Sequence, residues 1–287
     1  MAPIVGVDRS RDQRDTRSIT TGFRRRGSVG HMAQTLSRGS VSGTAVKPGG
    51  GKRKPFLVDL YSTAVGKKYV MAITGLLLMG FVVAHMVGNL KLFQGETDGV
   101  YALDVYAVWL KELLYPAAPK SAVLWVMRSG LIVAVLLHIH AAYGLTVINR
   151  KARSVKYQSA RDYDVANFAS RTMRWTGVIV LLFILWHLAD FTFGWVNPDF
   201  VYGEVHRNVV ASFERVPVAI FYIVAHIALG IHLFHGLWSL FQSMGWNNPR
   251  FNAWRRPLAT AIATVVVVGN VSFPIAVLAG IVTHPAV

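Results

Sequence analysis

The sequence predicts an all-α membrane protein, a five-transmembrane-helix bundle, on three observations. Five apolar segments each reach about the 20 residues a helix needs to cross a bilayer. Only 15% of the 287 residues are charged and 53% are hydrophobic, against about 25% charged in an ordinary soluble domain. The charge that remains, a net +16, is clustered at the ends of the apolar segments. Basic chains that bind nucleic acid carry Lys and Arg on a soluble fold, so the pattern excludes a nucleic-acid partner and points to membrane lipid. The chain has no cysteine. Disulfides, thiolate-held iron–sulfur centres and cysteine nucleophiles are therefore excluded.

Residues 1–55 hold twelve Lys/Arg among many Gly and Ser. Such a composition buries too little apolar surface to fold, which predicts a disordered basic N-terminal tail. It lacks the apolar core of a signal peptide, and Met32 offers an in-frame alternative start. Residues 56–287 form the membrane domain. Its spans are read at Lys68–Phe93, Ser121–Asn149, Met173–Trp195, Pro217–Phe241 and Leu258–Val282. Leu, Ile, Val and Ala fill them, and Tyr69, Trp125, Trp175, Trp195, Trp246 and Trp254 mark their ends as interfacial anchors. Between the first two spans, Val100–Leu114 predicts an amphipathic helix lying at the membrane surface, with Trp109 and Leu110 turned inward. No internal repeat is read.

Loop charge sets the orientation. Residues 150–174 carry seven Lys/Arg and 245–257 carry three, whereas 94–120 and 195–216 are net acidic. The positive-inside rule then puts the N-terminus in the cytoplasm and the C-terminus outside.

Four spans hold a histidine deep in the apolar stretch, where an ionisable group is expensive and functional by default. They are His85, His187, His140 and His232. At about 1.5 Å per residue, His85 and His187 lie about 22–26 Å from the cytoplasmic face, and His140 about 15 Å from it. His232 lies about 22 Å from the outer end of its span. The depths sort them into an outer pair, His85 with His187, and an inner pair, His140 with His232. Zinc needs three or four ligands converging on a point, and two pairs fit that poorly. Two axial imidazoles per iron suit haem and electron transfer, so the reading is two haem b sites between helices. A helix–helix hydrogen bond or a proton relay is the competing reading for any single histidine. His138 and His226 fall on other helix faces, whereas His235 shares the face of His232 as a rival or propionate partner. His206 and His31 are read as solvated loop residues. Gly75, Gly80, Gly88, Gly130, Gly144, Gly230 and Gly236 would let neighbouring helices, or a flat macrocycle, approach closely.

These motifs resemble a known family. The run Lys67–Gly75 leading to His85-Met86-Val87-Gly88-Asn89-Leu90 is similar to the first helix of the cytochrome b558 subunit of succinate dehydrogenase. Similar too are His140-Ala141-Ala142-Tyr143-Gly144, Trp186-His187, and His232-Leu233-Phe234-His235-Gly236-Leu237 followed by Gly245-Trp246. The resemblance runs from Lys67 through the fourth span and leaves the tail outside. It implies a five-helix, di-haem membrane anchor of a succinate:menaquinone oxidoreductase or related fumarate reductase, multi-pass in a bacterial cytoplasmic membrane. Its partners would be an iron–sulfur subunit and a flavoprotein that carries out the succinate chemistry, and its substrate menaquinone. By the resemblance, helices one and three ligate the outer haem and helices two and four the inner. It selects His140 over His138 by the His-Ala-x-x pattern, and His232 over His235 by the glycine four residues on. Some relatives place a proton-conducting glutamate two residues before the fourth-helix histidine. Here that position is Gly230, which puts such a path in doubt.

Within that frame Lys68, Arg128, Arg150 and Arg174 are candidate propionate partners by position. Asp190, one turn beyond His187, is a quinone-site carboxylate handling protons, an ion-pair partner of Arg128, or an exposed helix-end carboxylate. Two other classes stand as alternatives: a cytochrome b anchor of another membrane dehydrogenase, and a haem-free transporter relaying protons through its histidines.

Overall fold

The structure, a computed structural model, describes residues 55–152, 168–246 and 248–285. A short helix α1 (Phe56–Ser62) leads into α2 (Ala64–Asn89), which a 3-10 turn prolongs to Gln94. A two-stranded hairpin (Glu96–Thr97 with Val100–Tyr101) and α3 (Ala102–Lys111) connect to α4 (Ala122–Lys151). Then come α5 (Phe168–Phe191), α6 (Val205–Glu214), α7 (Val216–Ser243) and α8 (Pro249–Leu278). Five of these, α2, α4, α5, α7 and α8, are long and apolar enough to cross a membrane. The protein is therefore an all-α, five-helix membrane bundle. The predicted tail and most of the 150–174 loop lie outside the described residues.

Local signals explain where the spans begin and end. Thr63 caps α2 through its hydroxyl, which accepts from the Gly66 amide at 2.9 Å. Asn248 does the same for α8, accepting from Phe251 N at 3.1 Å. With Pro249 pre-set for a first helical turn, α8 starts well ahead of the expected Leu258 and carries Pro257 in its interior. The third span stops at Phe191, short of Trp195, because Gly194 takes a left-handed φ of +68°. That turn lets Trp195 N close back on Ala189 O at 2.8 Å, a common helix ending. Large apolar side chains such as Val126, Trp175 and Val268 face outward from the spans, as a hydrocarbon surround requires and water would not.

The two ends of the bundle differ. At one end the hairpin, α3 and α6 form a cap over a core of Leu92, Leu103, Phe183, Val210, Phe213, Tyr222 and Phe273. The amphipathic helix is shorter than expected, and of the two residues expected to turn inward only Leu110 lies on the half-buried face, seven residues from Leu103. Leu103 is its buried residue, and Tyr106 packs its phenol where a Gly88 side chain would be. Trp109 stacks on Tyr106 at 5.8 Å but stays 55% exposed. Asn208 pins the segment after α5, donating to Val201 O at 2.7 Å and accepting from Val201 N at 2.8 Å.

His206 is not a solvated loop residue: it sits on α6 at 1% exposure. Its ring stacks on Tyr101 at 3.8 Å and lies 5.8 Å from His284, while its amide donates to Asp104 Oδ1 at 2.9 Å. Burial holds its pKa below the ordinary 6.5; His284 pushes the same way, and the carboxylates of Asp104 and Glu96 oppose. The folded cap thus keeps His206 neutral while the unfolded chain protonates it near 6.5. Its contribution is complete above that pH and is lost as pH falls below it toward the depressed folded value. Thermal melts in detergent should show Tm falling between pH 7 and pH 5, and the fall should be shallower in His206→Gln.

Candidate functional site

Two pairs of imidazoles face one another across helices, at two levels. Near the capped end, His85 on α2 and His187 on α5 have ring centroids 5.9 Å apart at 87°. Each is backed one turn earlier on its own helix by a phenylalanine, Phe81 at 5.3 Å and Phe183 at 5.8 Å. Further from the cap, His138 on α4 and His232 on α7 have centroids 6.5 Å apart at 64°.

The inner pair departs from the sequence reading. His140 does not reach His232. It is exposed, stacks on Tyr61 of α1 at 5.6 Å, and its Nδ1 meets the Tyr61 hydroxyl. Two residues along a helix turn a side chain by about 200°, so only one of His138 and His140 can look into the bundle. Packing decides which. The buried positions of α4 are Ala134, Ala141 and Leu145, and His138 shares their stripe at 4-3-4 spacing. The glycine four residues after His140 serves the first turn of α2 instead, since the Lys67 stem fills the place of a Gly144 side chain. The small-residue stripe was the available signal, and the His-Ala-x-x pattern of the resemblance concealed it.

A threonine–glycine pair backs each inner histidine. Thr74 Oγ1 lies 3.1 Å from His138 Nδ1, and Thr176 Oγ1 lies 3.3 Å from His232 Nδ1. A β-carbon on Gly75 would be 3.2 Å from the His138 ring, and one on Gly177 3.3 Å from the His232 ring. These residues belong to an internal repeat that the sequence reading missed. Met71, Thr74, Gly75, Phe81 and His85 on α2 recur 102 residues later as Met173, Thr176, Gly177, Phe183 and His187 on α5.

Beside His187 lies a buried polar network. Asp190, fully buried, accepts from Ser212 Oγ at 2.5 Å and from Tyr222 Oη at 2.8 Å, and pairs with Arg215 at 3.3 Å. Arg215 also donates to Val196 O at 2.6 Å. The ion-pair partner is thus Arg215, on the α6–α7 corner, and not Arg128, whose guanidinium lies over the Trp125 ring at 5.2 Å. Lys68, Arg150 and Arg174 are exposed like Arg128. His226 is buried with its Nδ1 2.7 Å from Tyr222 O, and His235 meets Trp238 edge-on at 5.8 Å. Gly230 admits Val267 of α8 into the space a side chain would take, so a glutamate there would displace that contact.

The residues fit haem ligation. Two imidazole nitrogens bound about 2 Å from opposite sides of one metal put their ring centroids about 6 Å apart, close to both observed separations. Among the described residues no three or more His, Asp or Glu side chains gather as a zinc cage would need.

Five spans enclosing two facing pairs of histidines define an integral membrane protein. Residues 149–271 match the model of the succinate dehydrogenase/fumarate reductase transmembrane subunit family. The match takes in His187 and His232 and stops short of their partners on α2 and α4. No curated protein and no protein of solved structure gives a match.

Removing Asp190 tests the network. Asp190→Ala should cost about 2–3 kcal/mol, less than a wholly buried pair because Arg215 reaches water. Asp190→Asn, which can still accept from Ser212 and Tyr222, should cost less. Detergent melts of both variants supply the comparison.

Proposed function

We propose that this chain is the electron-transferring membrane anchor of a succinate:menaquinone oxidoreductase in a bacterial cytoplasmic membrane, its N-terminus cytoplasmic and its C-terminus outside. It holds two haem b groups, one between His85 and His187 and the other between His138 and His232. The observation that carries this reading is the pair of facing imidazoles at each of two levels in a succinate dehydrogenase/fumarate reductase-type bundle. When bound, the haems supply one-electron transfer between an iron–sulfur partner and quinone. Flavin chemistry on succinate belongs to a separate flavoprotein subunit.

The chain's own residues set how the groups are held. Phe81 and Phe183 limit the rotation of His85 and His187. Tyr222, its hydroxyl tied to Asp190, packs its ring 6.1 Å from that of His187. Asp190 is saturated by three side chains, which supports a role in holding Tyr222 against the histidine rather than in exchanging protons with quinone. The exposed cations Lys68, Arg150 and Arg174 lie toward the basic face, which is the docking side for the water-soluble subunits, whereas Arg128 sits over Trp125 toward the opposite surface.

The test is haem content in the complex purified through a tag on this chain. The parent should show two haems per chain and carry succinate dehydrogenase activity with it. Leucine at His85, His187, His138 or His232 should each remove one haem, whereas His140→Leu should keep both. Loss of haem from His140→Leu with retention in His138→Leu would return the inner ligand to His140. A parent without haem would end the proposal.

A further inference from the structure

We infer that Thr74 and Thr176 are a matched pair of positioning residues that fix the tautomer and orientation of His138 and His232, so that both present Nε2 to one iron. The inference rests on the haem reading above and extends it to residues that touch no haem atom.

A threonine hydroxyl has one proton and two lone pairs. Inside a helix it commonly gives that proton to the carbonyl a turn earlier. Thr74 Oγ1 does so, 2.7 Å from Val70 O, and Thr176 Oγ1 lies 3.0 Å from Met173 O. With the proton committed, each oxygen can only accept from the imidazole. Nδ1 of His138 and of His232 must then carry the hydrogen, and each Nε2 keeps its lone pair for a metal. Both threonines are buried, at 8% and 5% exposure, so water does not compete for the contact.

The glycines set the approach. The ring atom beside Nδ1, Cε1, would lie 3.2 Å from a β-carbon at Gly75 and 3.3 Å from one at Gly177. That is tighter than an ordinary carbon contact of about 3.5–4.0 Å. Threonine followed by glycine therefore supplies an acceptor and the room to reach it in two consecutive residues.

Duplication makes chance a poor explanation. The hydroxyl, glycine and histidine recur with the same contacts in two places, α2 against α4 and α5 against α7. Among the described residues His85 and His187 have no such threonine, and His187 Nδ1 is buried without a partner. The device is thus specific to the pair further from the cap. An acceptor on Nδ1–H makes the imidazole a stronger donor and fixes its orientation, and losing such partners typically costs 10- to 100-fold in metal affinity.

The experiment compares Thr74→Val, Thr176→Val and the double variant with Thr→Ser at each site, in the purified complex. Valine keeps the shape and removes the acceptor, whereas serine keeps the acceptor. Haem content, haem release and redox titration of the absorbance are read for both haems. One haem should be released more readily, with affinity about 10- to 100-fold lower, and its reduction potential should move upward in each valine variant and further in the double. The other haem should stay at the parent potential, and the serine variants should resemble the parent. Unmoved potentials, equal shifts of both haems, or serine behaving as valine would overturn the inference. If His138→Leu removes a haem while the threonine variants shift nothing, ligation stands and the positioning role falls. A haem-free parent sinks both.

Discussion

An imidazole inside a hydrocarbon layer can satisfy its nitrogens only on protein groups or a bound group, because there is no water to take the remainder. That constraint orders this bundle. His138 and His232 each spend one nitrogen on a threonine of an adjacent helix and direct the ring toward the other. His226 turns back to a carbonyl of its own helix. Asp190, the most confined carboxylate, draws in a serine, a tyrosine and an arginine from α6, α7 and the corner between them. The histidine–threonine contacts and the Asp190 network fix distances between elements, whereas apolar contacts in lipid leave helices free to slide.

The fold was legible because its signals are long and redundant. Twenty apolar residues need a helix to cross a bilayer, and five such runs left little choice. Boundaries were less legible, since they hang on single residues: Asn248 and Pro249 start α8 early, and Gly194 ends α5 early. His206 was misplaced for a related reason. A polar residue between two spans looks solvated, and only the stacking of α6 beneath the hairpin shows otherwise.

The candidate site was legible in its outer pair's meeting and not in its inner pair. Depth separates His85 and His187 from the rest, but His138 and His140 differ in depth by only about 3 Å. What separates them is azimuth, which the stripe Ala134, His138, Ala141, Leu145 encodes. The His140–Gly144 spacing mimics the His232–Gly236 spacing, yet His140 meets Tyr61 of α1 and Gly144 makes room for Lys67 at the start of α2. The repeat was hidden because only the residues that touch the histidines are kept, with unrelated aliphatic residues between them.

The repeat has a further consequence in the arrangement of the chain. α2 and α5 run in the same direction, as do α4 and α7, so the copies are related about an axis along the membrane normal, the parallel class of duplication. Inverted duplication carries a residue to the opposite depth, which suits a single central site that opens to alternate sides. Parallel duplication keeps equivalent residues level, so each histidine meets its own counterpart and the meetings stack as rungs. α8 has no counterpart, lies outside that symmetry and supplies neither of the two pairs. The architecture is that of a fixed ladder with a strut beside it: its two ends remain unlike, and nothing in it has to rock for one level to be distinguished from the next.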